Sequence, residues 1–433
     1  MFPFAKAVHA APSHPEQRTH PEQRTDPGQR HDPAQRSTGA SAPLGIYVHF
    51  PWCVRKCPYC DFLSLAIDPA DIPHDAYLER VLVELEARSA AVSGHRLLRS
   101  VFIGGGTPSL WKPEAIGKLL EAIVCRFPTD PALEITAECN PSSFDLAKAQ
   151  ALARAGVNRV SIGVQSLDPE RLAFLGRWHS PEQGLAAVRA ALDSDIARVS
   201  ADLIYGVHGQ TPAAALNEAV TVARTGVTHL SAYTLTIEKG TQFGARAQKN
   251  TLPLLPEEAV ADSFLEVHAA LAAEGFEHYE ISNFARGGDY AVHNIGYWQG
   301  DEYLGLGAGA WGTLVTSQGR VRYRNTPSPE RYLDASLGFG PLAEDHERGL
   351  VQQLEPIDGE TALRERLLLG LRLSRGVDLD AMARELGVEA WPRERRRAAD
   401  RLIARGRLLE TGTTLTIPAS HWLLADDTIA SLL

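Results

Sequence analysis

The sequence predicts an α/β protein: a partial (β/α)6-type barrel followed by a small helical, winged-helix-like C-terminal domain. Three observations carry this. From Gly45 onward, short apolar runs alternate with amphipathic stretches of helical period, the pattern of a parallel sheet with crossover helices. The polar motifs of that region each fall at or just after the end of an apolar run, as ligand-binding groups do in such barrels. Beyond Glu360 the chain turns helical and closes with two short strand-like runs.

Residues 1–42 form a tail. Between His14 and Ser37 a six-residue unit repeats (HPEQRT, HPEQRT, DPGQRH, DPAQRS). It has no large apolar residue, so it cannot bury enough surface to offset the entropy of ordering, and disorder is expected. Strands are expected at Ile46–Phe50, Ser100–Gly104, Leu133–Ala137, Arg159–Val164, Val199–Ile204 and His229–Leu235, with a seventh candidate at Glu277–Ile281. Tyr77–Glu86 carries Leu78, Leu82 and Leu85 at helical spacing. Gly156, Gly226 and Gly275 each stand between a helical run and the next strand, where a left-handed residue ends a helix. The barrel is assigned to residues 43–312, a connector to 313–356 and the helical domain to 357–433. In the last, helices are expected at Glu360–Leu373, Leu379–Leu386 and Arg393–Arg405, stopped by Gly406.

The net charge of −10 gives nonspecific nucleic-acid binding no electrostatic support. The arginines from Arg393 to Arg397 read as a solvated helix face. No apolar run approaches the roughly 20 residues that span a bilayer. No secretory leader is apparent, and a cytoplasmic protein is expected.

Three of the five cysteines, Cys53, Cys57 and Cys60, stand at C-x3-C-x2-C spacing just after the first strand. Three thiolates suit a [4Fe–4S] cluster with one iron left open. Zinc is the alternative, with His49 as a fourth ligand. At the following strand ends stand Gly104–Thr107, whose backbone lets a ligand approach, then Glu138, Gln165 and Asp202, which can bind hydroxyls or an amine, and Thr234 and Thr236.

The cysteine spacing, with Tyr59 before the last cysteine, resembles the signature of radical S-adenosylmethionine (SAM) proteins. In them SAM chelates the open iron, and an electron from the cluster cleaves it to a 5′-deoxyadenosyl radical. Tyr47-Val-His-Phe-Pro-Trp-Cys53, Phe102-Ile-Gly-Gly-Gly-Thr-Pro108, Ser161-Ile-Gly-Val-Gln165-Ser and Asp202-Leu-Ile-Tyr-Gly206 resemble oxygen-independent coproporphyrinogen III oxidases and the heme chaperones related to them. The resemblance runs from about Gly45 to the C-terminus. It implies a radical SAM barrel in which Cys53, Cys57 and Cys60 hold the cluster, while Tyr47, Tyr59, Gly105, Gly106, Thr107, Glu138, Gln165, Arg177 and Asp202 bind SAM. It also implies that Tyr303–Gly312 walls that site, with Trp311 near the adenine.

The oxidases extend their signature to C-x3-C-x2-C-x-C, and here the added position is Phe62. That departure argues against coproporphyrinogen decarboxylation and leaves the oxidase as the alternative. His293-Asn-Ile-Gly-Tyr-Trp298 matches the H-N-x-x-Y-W stretch that the chaperones use for heme. Taken as residues alone, His293 and its aromatic neighbours read first as a packed cluster at the barrel bottom or a domain joint, because such clusters are common in cores. The resemblance implies heme binding at His293, client hemoproteins such as respiratory enzymes as partners, and room for a homodimer.

Overall fold

The computed structural model describes residues 42–92 and 96–433. The expected tail, with its repeats, lies outside the described residues except for Ala42, which opens the first strand.

Among the described residues twelve strands form one sheet. In chain order they are β1 (Ala42–Phe50), β2 (Arg96–Gly105), β3 (Thr129–Cys139), β4 (Arg159–Gln165), β5 (Arg198–Tyr205) and β6 (His229–Thr234). There follow β7 (Glu277–Glu280), β8 (Asn283–Ala285), β9 (Glu302–Leu306), β10 (Trp311–Thr316), β11 (Gly319–Asn325) and β12 (Val351–Ile357). Their spatial order is β12-β11-β10-β9-β1-β2-β3-β4-β5-β6-β8-β7. From β1 to β6 each strand pairs in parallel with the next, so the six expected strands all form, in the expected order.

The crossovers are helices His74–Ala91, Pro113–Arg126, Leu146–Arg154, Pro181–Leu192 and Pro212–Ala223. Local chemistry starts them: Asp145, Ser180 and Thr211 each accept a backbone N–H of the first turn. Pro113–Arg126 shows what holds them to the sheet. Ile116, Leu119, Leu120 and Ile123 are all buried on one face, and each such side chain contributes about 1.5–3 kcal/mol. Gly156, Gly226 and Gly275 have φ of +102°, +106° and +82°, the left-handed conformation expected at these helix ends.

The sheet differs from expectation at both edges. Glu277–Glu280 is antiparallel to β8 and lies at the outer edge, so it is not a seventh barrel strand. The seventh parallel strand is β9, beside β1. Its glycines hid it, because glycine weakens any strand signal. Packing explains them: a Cβ on Gly305 would sit 1.9 Å from the Trp311 carbonyl oxygen, and one on Gly307 would sit 2.4 Å from that of His49. Residues 313–356 are more than a connector, since β10, β11 and β12 extend the same sheet antiparallel.

The C-terminal part has helices Gly359–Gly370, Leu379–Leu386 and Arg393–Ala404 and a three-stranded antiparallel sheet of Val377–Asp378, Thr414–Thr416 and Leu409–Thr411. That is the make-up of a winged helix. It docks on the barrel through the Ser374 N–H donating to the Tyr279 carbonyl at 3.0 Å and the Arg372 guanidinium over the Trp298 ring. Arg395 departs from the expected solvated face, for it is buried and donates to the carbonyls of Leu432 and Ala390.

Candidate functional site

The cysteine loop is held at both ends. Trp52–Cys53 pairs with Leu65–Ala66, and the Ile67 N–H donates to the Cys53 carbonyl at 2.9 Å. Between these ends Cys57 and Cys60 turn toward a cavity of about 480 Å³ at the C-terminal ends of the parallel strands. This cavity unites groups from six strand ends: the three cysteines, Gly105–Thr107, Glu138, Gln165, Asp202, and Thr234 with Thr236. Tyr59 and Arg177 line it as well. Tyr47, His293 and Trp311 are not among its lining residues.

Each strand contributes alternate residues, as the pleat requires. The phase of β3 that presents Glu138 also carries Thr136 and Glu134, and the phase of β5 that presents Asp202 carries Ser200. Glu138 accepts the Gly105 N–H at 3.0 Å. Burial pushes its carboxyl up to about 7, with Asp202 adding to the shift. Asp202 is raised by burial too, although hydroxyls of Ser231 and Ser161 oppose this, the latter donating at 2.9 Å. Arg177 donates to the Gly163 carbonyl at 2.8 Å and approaches the Cys57 sulfur at 3.8 Å. Gln165 has φ of +66°, a strained setting for a side chain of its size that recurs at functional sites.

The glycine run has a job beyond ligand approach. A Cβ on Gly106 would lie 2.5 Å from the Trp52 carbonyl oxygen, and one on Gly105 would lie 2.5 Å from the His49 ring. Its donors are also committed within the chain. The Gly106 and Thr107 N–H groups donate to Phe50 and Trp52 carbonyls at 2.7 and 2.8 Å, and the Thr107 hydroxyl donates to the Cys53 sulfur at 3.2 Å. These bonds fix the cysteine loop to β2.

His49 is engaged as well. Its Nδ1 lies 2.8 Å from the Tyr47 hydroxyl and its Nε2 lies 2.8 Å from the Leu63 carbonyl, so both nitrogens are occupied by protein partners. Burial holds it down at about 4, a neutral imidazole that braces the far end of the cysteine loop. Among the described residues no three His, Cys, Asp or Glu side chains close round a single ion position. A cuboidal cluster takes each thiolate on a different iron, so its three cysteines need not converge on one point. Burial pushes the Cys53 thiol up to about 11 and raises Cys60. Loading a metal centre here therefore requires these thiols to lose protons that burial favours.

His293 lies deeper in the barrel. Its ring stacks on Phe102 at 5.1 Å, meets Tyr297 edge-on at 4.7 Å, and sets Nδ1 2.9 Å from the Ser100 hydroxyl. It is 3% exposed, and its Nε2 is buried with no hydrogen-bond partner. The hollow beside it measures about 20 Å³, room for about one water rather than a macrocycle. Glu134 fixes this arrangement from below, accepting the Val292 and His293 N–H groups at 2.9 and 3.0 Å. Sequence reasoning missed Glu134 and Ser100. The signal was present in β3, where Glu134, Thr136 and Glu138 alternate in a strand that should otherwise be apolar.

The fold and the rim cavity define a radical SAM protein. The Radical SAM superfamily profile matches residues 47–217, and the HemN C-terminal domain profile matches residues 357–424. The heme chaperone HemW of Escherichia coli K12 is 39% identical over 293 residues, covering 67% of this chain and 76% of that protein. HemW of Mycobacterium tuberculosis H37Rv is 33% identical over 395 residues, or 90% and 95% of the two chains. The bovine mitochondrial radical S-adenosyl methionine domain-containing protein 1 is 36% identical over 342 residues, covering 77% and 74%. The solved coproporphyrinogen III oxidase HemN of E. coli superposes with a TM-score of 0.73 over 90% of each chain at 20% identity, a likeness of fold. The chain belongs to the HemW family of radical SAM proteins. No helix among the described residues is long and apolar enough to cross a membrane.

Proposed function

We propose that this protein is a cytoplasmic heme chaperone: it carries a [4Fe–4S] cluster on Cys53, Cys57 and Cys60, binds SAM in the rim cavity, and delivers heme to client hemoproteins such as respiratory enzymes. The observation that carries the reading is the rim cavity, which brings the thiols of Cys53, Cys57 and Cys60, the carboxylates of Glu138 and Asp202 and the Arg177 guanidinium together in about 480 Å³. That set complements a ligand with a sulfonium, an amine and a carboxylate. The family relatives named heme chaperone supply the heme half of the reading.

When bound, the cluster supplies an open iron that chelates SAM and an electron for it. The chain's own residues do the rest. Glu138 and Asp202 present negative charge to a cationic ligand, with Ser161 holding the Asp202 carboxylate in place. Arg177, anchored on Gly163, offers its fork to a carboxylate. Tyr59 and Cys139 help wall the cavity. Phe62 stands at its mouth, 62% exposed, where the oxidase signature would have a further cysteine.

Heme binding at His293 calls for a movement. The unpartnered Nε2 offers iron an electron pair in the tautomer whose Nδ1–H donates to the Ser100 hydroxyl, but Tyr297 and the helix Val292–Gln299 must shift to admit the ring. Anaerobic reconstitution followed by heme titration tests the reading. A Soret shift that His293→Ala weakens, with transfer to an apo-hemoprotein, is expected. No Soret change and no transfer would sink it. Methionine release dependent on coproporphyrinogen would instead favour the oxidase.

A further inference from the structure

A second cavity, of about 350 Å³, lies where the C-terminal end of helix Val292–Gln299, the β10–β11 hairpin and helix Gly359–Gly370 meet. Its inner wall is aromatic. Tyr297 and Tyr303 meet edge to face at 4.6 Å, and Tyr297 in turn abuts His293.

Three arginines line the same cavity, Arg320, Arg322 and Arg366, against two carboxylates, Asp301 and Glu365. Two are answered by carboxylates. Arg322 pairs with Glu365 at 2.5 Å and with Glu355 at 3.6 Å, and Arg366 pairs with Glu385 at 3.0 Å. Arg320 donates to the Gly300 carbonyl at 3.5 Å, and among the described residues it is in no ion pair. Burial holds its guanidinium below the usual arginine range, and Arg366 adds to this, while Glu302, Glu385 and Asp301 pull the other way. Arg366 is 5% exposed, and its Nε is buried without a hydrogen-bond partner. Two guanidiniums that repel one another, Arg366 with a spare buried donor and Arg320 in no direct ion pair, leave donors that an entering anion can take up. Planar forks of this kind suit carboxylates.

We propose that this cavity receives the carboxylate edge of heme, with Arg320 and Arg366 binding a propionate while Tyr297 and Tyr303 face the ring. The inference rests on the heme reading above and extends it to residues outside the H-N-x-x-Y-W stretch. It also makes the site composite. Arg320 comes from the sheet extension and Arg366 from the C-terminal domain, so a bound propionate ties the two parts together.

The test compares heme with heme dimethyl ester, whose carboxylates are masked, on the full chain. Soret titration is run on wild type and Arg320→Gln, with thermal melting of both. Wild type should bind the ester at least tenfold more weakly than heme. Arg320→Gln should lose at least tenfold in heme affinity, bind the ester as wild type does, and melt no lower than wild type. Equal wild-type affinity for heme and ester, or unchanged heme binding by Arg320→Gln, overturns the inference and leaves the heme reading standing. So does a variant that loses both ligands equally, because the effect is then structural. A wild type that binds neither overturns both.

Discussion

The Thr107 hydroxyl donates to the Cys53 sulfur at 3.2 Å, joining the loop after β2 to the loop after β1. Hydrogen bonds to ligand sulfurs set the potential of an iron–sulfur centre. Thr107→Val should shift the reconstituted cluster about 40 mV negative, the one-electron equivalent of a hydrogen bond of ~1 kcal/mol. Potentiometric titration by electron paramagnetic resonance reads this. Equal potentials would mean that the bond does not persist in the loaded protein.

Gly106 permits the contact that seats the same loop. With only 2.5 Å between a built Cβ and the Trp52 carbonyl oxygen, Gly106→Ala must displace backbone rather than a flexible side chain. Iron per chain after reconstitution should fall to less than half of wild type, while the far-UV circular dichroism of the barrel is kept. Full iron loading would show that the loop seats itself without this packing.

Glu138 titrates near the working pH, since burial lifts it to about 7. Its carboxylate form predominates above that value and its neutral form below. Affinity for a cationic ligand such as SAM should therefore rise with pH, at most about tenfold per unit on the acid side. Glu138→Gln should bind weakly with a flat profile. Isothermal titration between about pH 6 and pH 8 decides it, and a wild-type profile that stays flat or falls would refute the assignment.

Glu134 ties the barrel floor to helix Val292–Gln299. Burial would raise its carboxyl, but Arg159, Arg198 and the His293 and Val292 N–H groups hold it below the usual range. Arg198 pairs with it at 2.7 Å. Glu134→Gln leaves Arg159 without its ion-pair partner, while Arg198 keeps Asp289, and should cost about 3–5 kcal/mol, as breaking a buried pair does. Denaturant unfolding measures this. A loss under about 1 kcal/mol would class the pair with ordinary surface bridges.

The sequence by itself determined the elements whose signals are local. Six strands in parallel order, the helices between them and the left-handed glycines at their ends follow from alternation, helical period and turn chemistry. The cysteine loop and the rim groups Glu138, Gln165 and Asp202 were legible because a barrel strand delivers its last residues to one face. Only the tertiary structure decided what depends on neighbours distant in the chain. Glu302–Leu306 is a strand because β1 pairs with it, and its glycines answer to Trp311 and His49 rather than to any local turn. The donors of the glycine run are committed because Phe50, Trp52 and Cys53 lie against them. His293 is enclosed by Ser100 and Phe102 from β2, nearly two hundred residues earlier in the chain. The arginine-lined cavity exists only where the hairpin meets the C-terminal helix. Register and packing assemble these features, and neither is encoded within a short stretch of sequence.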